Sequence, residues 1–153
     1  MKIEAKLAQM GLKLPEVGAP AGLYVPAKRI GNLIYLSGQT PDIDGVTQYC
    51  GTLGRDVSLE DGYKAAQLAG LNLLAVLKQE LGDLDRVKNF VQVLGYVQST
   101  PEFHEHPKVI NGASQLFKDL YGDAGVAARM AIGTNALPES SCVEICCVVE
   151  VAD

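Results

Sequence analysis

Strand alternation across Arg86 to Gln98 puts Val87, Val91, Val93 and Val97 on one face and Phe90, Leu94 and Tyr96 on the other, so the segment is apolar on both sides. Such a strand is central in its sheet and needs a cover on each face. Leu33-Ile34-Tyr35-Leu36, within a second strand spanning Gly31 to Ser37, makes the same demand. Any fold for this chain has to supply both covers.

The helices available to do so are few. Ser58 and Asp61 have capping-box spacing ahead of a stripe of Tyr63, Ala66, Gly70, Leu73, Leu77 and Leu81, with Gly82 as the stop. Gly62 and Gly70 on that helix are expected to allow close approach to a sheet. Thr100-Pro101 and His106-Pro107 are successive start signals for a second helix carrying Ile110, Ala113, Phe117 and Leu120 and closed by Gly122. The remaining segments read as strands: Leu23-Tyr24-Val25, a hairpin through Asp44-Gly45 into Val46 to Cys50, Gly125 to Gly133, and Ser141 to Val151. Asn135 to Glu139 is the loop between the last two. The order β-β-β-α-β-α-β-β predicts an α+β fold with two long helices packed on one face of a mixed sheet. Two helices leave the other face bare and apolar, which predicts a homo-oligomer.

Length and composition fit this picture. At 153 residues the chain has the size of one domain, expected over residues 15–153, with Ile3, Leu7 and Met10 marking residues 1–14 as an amphipathic helical appendage. It is 48% hydrophobic but only 6% aromatic, without Trp, so the apolar mass is aliphatic. Thirteen basic against 18 acidic residues give a net charge of −5 and no basic stripe, the wrong balance for general nucleic-acid binding. The longest apolar stretch, residues 65–77, contains Gln67 and Asn72 and is short of the ~20 residues that span a bilayer. No export signal is visible, and a cytoplasmic protein is expected, with Cys50, Cys142, Cys146 and Cys147 as reduced thiols. No metal site is expected, because His104-Glu105-His106 lacks i, i+4 spacing and a third ligand.

The chemistry concentrates in the last two strands. Alternation puts Val126, Ala128, Met130 and Ile132 toward the core and Ala127, Arg129, Ala131 and Gly133 opposite, so Arg129 stands among small neighbours. On the final strand Val143, Ile145, Cys147, Val149 and Val151 face the core, leaving Glu144 on the same non-helical side as Arg129. Two readings follow. The two side chains form a buried ion pair, or Arg129 holds a substrate carboxylate while Glu144 orients or deprotonates water.

Tyr24, Gly31-Asn32-Leu33-Ile34-Tyr35-Leu36-Ser37-Gly38-Gln39, Asn111, Arg129, Leu137-Pro138 and Val143-Glu144 together resemble the RidA/YjgF family of reactive-intermediate deaminases. The resemblance covers about residues 20–151 and is carried by the order and spacing of these motifs. It implies a chorismate-mutase-like fold assembled as a homotrimer, with sheets lining a central barrel and ligand clefts between subunits. It also implies hydrolysis of 2-imino acids or their enamine tautomers to 2-oxo acids and ammonia without a cofactor. Arg129 would bind the substrate carboxylate, Glu144 would position water, and Tyr24, Ser37 and Gly38 would line the pocket. Asn111 would lie near the cleft or serve the helix structurally. Ala131 stands where the family often has Cys, which leaves only a backbone contact there, and Pro26 stands where Gln is frequent. The alternative functions are a non-catalytic trimeric binder of small carboxylates such as 2-oxo acids, and an endoribonuclease or translation inhibitor.

Overall fold

A computed structural model describes all 153 residues. The strands are β1 (Ala27–Ile30), β2 (Leu33–Gln39), β3 (Asp42–Ile43), β4 (Val46–Thr47), β5 (Val87–Gln98), β6 (Ala128–Thr134) and β7 (Val143–Val151). The α-helices are α1 (Lys2–Gln9), α2 (Leu59–Leu81) and α3 (His106–Tyr121). Five strands make one mixed sheet in the order β1-β2-β7-β5-β6, with β5 and β6 parallel and the other pairs antiparallel; β3 and β4 form a separate hairpin.

The long helix forms where its caps say it should. The Ser58 side chain accepts from the Asp61 amide at 3.1 Å, and Gly82 closes α2 in the left-handed region with φ +78°. The hairpin turn at Asp44-Gly45 has φ +51° and +79°, the two positive values a type I′ turn requires. α2 and α3 lie together on one face of the sheet, and their crossing is tight: a Cβ on Gly112 would run into the Tyr63 carbonyl, while one on Gly70 would touch Ala113 and Leu116. The close approach served by the α2 glycines is therefore to α3. Val143, Ile145, Cys147, Val149 and Val151 point into the core from β7, as expected, and Phe117 stacks on Phe90 with centroids 4.2 Å apart.

Several expected elements are displaced. Leu23-Tyr24-Val25 is not a strand; the first strand begins at Ala27, and the segment before it is latched by the Ser37 hydroxyl donating to the Val25 carbonyl and the Ser37 amide to the Pro26 carbonyl. Thr100-Pro101 forms a turn, and α3 starts only at His106, with Pro107 in its first turn. Residues 122–125 are a short 3₁₀ turn, so β6 starts at Ala128. β5 carries irregularities between Val87 and Asn89 and between Phe90 and Gln92. They put Phe90 on the helix side with Val93 and Val97 and leave Val91 exposed, contrary to simple alternation.

The N-terminal helix is docked. Ile3 and Leu7 are buried in the same core as α2 and α3. Met1 offers α1 no side-chain cap, but the Asp85 carboxylate accepts from the amides of Lys2 at 2.8 Å and Ile3 at 2.9 Å. These bonds hold the Asp85 pKa down to about 2. The opposite face of the sheet has no such cover. Tyr35, Met130 and Ile132 there are 49%, 44% and 37% exposed.

Candidate functional site

Register decides which candidate residues can meet. β6 pairs with β5 so that Arg129 lies beside Val93, Ala131 beside Gly95 and Gly133 beside Val97. Val93 and Val97 are buried beneath the helices, and a Cβ on Gly95 would strike Ile110 of α3. Arg129, Ala131 and Gly133 therefore lie on the helix side, and Met130 and Ile132 take the open face. This inverts the expected assignment. The inner side of this edge strand has no room for bulk: a Cβ on Gly133 would lie 2.6 Å from His106 Nε2 and 2.7 Å from Ser99 Oγ.

Arg129 is oriented by α3. Its Nη1 donates to Asn111 Oδ1 at 2.7 Å and Ser114 Oγ at 3.2 Å, and its Nη2 donates to the Pro107 carbonyl at 3.4 Å. Asn111 and Ser114 are one helical turn apart, so a single face of α3 braces the guanidinium. No carboxylate pairs with it. Much of the side chain reaches solvent, yet partial burial still draws its pKa below the ordinary value. The cleft here, about 330 Å³, is lined by Asn111, Ser114, Gln115, Lys118, Val126, Ala127 and Arg129. It is a positive, donor-rich groove at the edge of the sheet.

Glu144 lies on the other side. It faces Tyr96 across the β5–β7 ladder, on the open face, so the expectation that it shares a side with Arg129 does not hold within one chain. The intramolecular ion-pair reading falls with it. Gly38 is what lets Glu144 fit, since a Cβ there would stand 2.7 Å from Oε2. The carboxylate receives no hydrogen bond from the protein. Burial, and then the negative charge of Asp42, push its pKa up.

Around Glu144 opens a cleft of about 1000 Å³. Its floor holds Ser37, Gly38 and Glu144; one wall is the segment Glu16 to Gly22 with Tyr24 and Pro26, and the other is the β3–β4 hairpin with Cys50 and Glu139. Asn72 of α2 anchors the hairpin through its amide, which donates to the carbonyls of Thr40 and Asp42 at 3.1 and 3.0 Å. Six of the seven site residues named from sequence thus fall into two groups: Tyr24, Ser37, Gly38 and Glu144 in one cleft, Asn111 and Arg129 in the other. Ala131 shares the Arg129 face but lines neither cleft. Sequence reading missed Ser114, which its i+3 spacing from Asn111 could have revealed, and Asn72 and Asp42. Asn72 had left one trace, as an amide inside the most apolar stretch of the chain.

The four thiols are unpaired. Burial raises the pKa of Cys142 to about 12 and that of Cys147 further, so neither is a nucleophile at neutral pH. No helix is long and apolar enough to cross a membrane.

Relatives share this arrangement of chain. Residues 4–152 match the YjgF/chorismate-mutase-like family of candidate endoribonucleases. Protein TCP17 of Trypanosoma cruzi is 37% identical over 150 residues, covering 97% of this chain and 94% of its own. Among solved structures, Atu1372 of Agrobacterium tumefaciens, of unknown function, is 40% identical with a TM-score of 0.92, covering 99% of this chain and 94% of its own. A Shewanella oneidensis protein described as a candidate endoribonuclease is 36% identical with a TM-score of 0.95 over 99% of this chain and all of its own. Matching the family model over residues 4–152 and relatives 36–40% identical over nearly its whole length, the chain belongs to the RidA/YjgF family.

Proposed function

We propose that this protein hydrolyses 2-imino acids, or the enamines in equilibrium with them, to 2-oxo acids and ammonia. The observation that carries the reading is the presence in one chain of a helix-braced arginine that no carboxylate pairs with and a half-buried glutamate that receives no hydrogen bond and has a raised pKa. Because the two lie on opposite faces of one chain, the complete site is composite: the Arg129 groove of one subunit meets the Glu144 cleft of another in a homotrimer. The apolar open face, with Tyr35, Met130 and Ile132, supplies a surface for that assembly.

In this site Arg129 forks the substrate carboxylate bidentately and fixes the adjacent imine carbon near Glu144. Glu144 takes a proton from water as its oxygen adds to that carbon, and the C=N electron pair moves to nitrogen. Glu144 returns that proton to the nitrogen, giving the carbinolamine; it then takes the hydroxyl proton and passes it to the same nitrogen as the C–N bond breaks, so that the C=O forms and ammonia leaves. A base with a raised pKa suits this exchange, since it takes and returns the proton at comparable cost.

The test is ammonia release from imines generated in place by an amino-acid oxidase. The protein should accelerate it, and Arg129→Ala should abolish the acceleration; no acceleration with any of several amino acids would sink the reading. Melting-temperature shifts with 2-oxo acids, lost in Arg129→Ala and without turnover, would show a binder instead. RNA cleavage, suggested by the description of the Shewanella relative, is the weaker reading, because a net charge of −5 and a carboxylate-lined cleft repel a phosphate backbone.

A further inference from the structure

Arg129 stands on an edge strand. β6 is last in the sheet order and pairs only with β5, so one side of it has no strand to hold it. The guanidinium takes its aim from α3 instead, through the Pro107 carbonyl, Asn111 Oδ1 and Ser114 Oγ. Where α3 lies against the β5–β6 ladder therefore decides where the guanidinium points. Apart from those three bonds, a single hydrogen bond joins α3 to that ladder. It runs between Nε2 of His106, the first residue of the helix, and Ser99 Oγ, 3.0 Å away. Ser99 directly follows β5, and its amide donates to the Thr134 carbonyl of β6 at 3.1 Å, so the hydroxyl is fixed to both strands. The joint is closely fitted: Gly133, on the Arg129 face of β6, has no room for a Cβ because one would strike both His106 and Ser99. Phe103 packs at right angles to the imidazole with ring centroids 5.2 Å apart. Burial, and then the neighbouring His104, lower the His106 pKa, so the ring is neutral at pH 7, as suits a helix N-terminus.

We propose that His106 is a positioning residue for Arg129: its bond to Ser99 seats the first turn of α3 against β6 and, through Pro107 and Asn111, sets the direction of the guanidinium. His106 itself touches no substrate. The proposal rests on the deaminase reading for its kinetic assay, whereas its binding assay needs only that Arg129 takes a carboxylate. Loss of the bond frees the helix start, and a ligand must then spend part of its binding energy on restoring the aim. Once the carboxylate is bound the aim is restored, so the cost falls on KM and Kd rather than on kcat.

The experiment compares the full chain with its His106→Ala, His106→Gln and Ser99→Ala variants. Each is assayed for hydrolysis of the leucine-derived imine, generated in place by an amino-acid oxidase, and for calorimetric binding of 4-methyl-2-oxopentanoate. His106→Ala and Ser99→Ala should raise KM and Kd by about tenfold and leave kcat within about twofold, while His106→Gln, whose amide reaches about as far as Nε2, should restore both constants. Ser99→Ala leaves the ring and the helix in place, and so decides the matter if His106→Ala does not fold. A lower melting temperature with unchanged KM and Kd, or a fall in kcat alone, overturns the proposal and leaves the deaminase reading intact. Binding weakened in this pattern, with no turnover even by the parent, supports the positioning role and overturns the deaminase reading. A parent that neither binds nor turns over overturns both.

Discussion

The two sides of β7 are a comparison built into one strand. Val143, Ile145, Cys147, Val149 and Val151 are essentially sealed beneath α2 and α3, while Glu144, Cys146, Val148 and Glu150, one residue out of phase, are only half-buried. The sealed side is where stability resides, because every group there has its cover within the chain. On the open side the cover is incomplete, and an ionisable group can keep an unmet hydrogen-bonding capacity. Substitutions on the two sides should therefore separate cleanly into effects on melting and effects on activity.

The largest expected effect tests the open side. Glu144→Gln should lower imine hydrolysis by about 10²-fold or more while leaving the fold intact. Since burial raises the Glu144 pKa, its ionised form opposes folding; relative stability is greatest below the ordinary value of 4.5 and is lost as pH rises through the elevated folded value. The variant should accordingly melt no lower than the parent at pH 7, with any advantage shrinking as pH falls through the elevated folded value and gone below 4.5; a lower melting temperature at pH 7 would break the comparison. The parent's kcat/KM should rise with pH through that same elevated pKa.

On the sealed side, Gly112→Ala forces a methyl group into the Tyr63 carbonyl across the α2–α3 crossing. Overpacking of this kind costs about 1–3 kcal/mol, a drop of roughly 3–10 °C in a chain this long. Ser58→Ala should cost about 1 kcal/mol through loss of the α2 cap, read in the same thermal scans. Smallest in melting but sharpest for assembly, Tyr35→Asp should leave the protomer folded and shift its mass by light scattering from that of the proposed homotrimer toward monomer. An unchanged mass would remove Tyr35 from the interface.

What was legible in the sequence follows the same division. Caps and stripes located α2, α3 and the core side of β7, because each of these is a local pattern with a period. The faces of β5 were not legible, since two irregularities shift its phase and neither is marked by a glycine or proline. The faces of β6 were misread for a different reason. Alternation alone points the bulky residues inward, yet α3 lies so close that only Ala131, Gly133 and an arginine reaching along the helix fit beneath it. The family motifs single out Arg129 and Glu144, but only the register shows that one chain cannot bring them together.

The Asp85 bonds to the start of α1 set the order in which this protein can be finished. An eight-residue helix is too short to hold its shape unaided in water, and the carboxylate that caps it is 83 positions further along the chain from Lys2. This segment, made before its cap, must therefore wait uncapped until α2 and the turn beyond it exist. Its docking is a late event, and the same bonds give it an acid limit of its own: the carboxylate's contribution is complete above its ordinary 3.8 and is lost as pH falls through about 2.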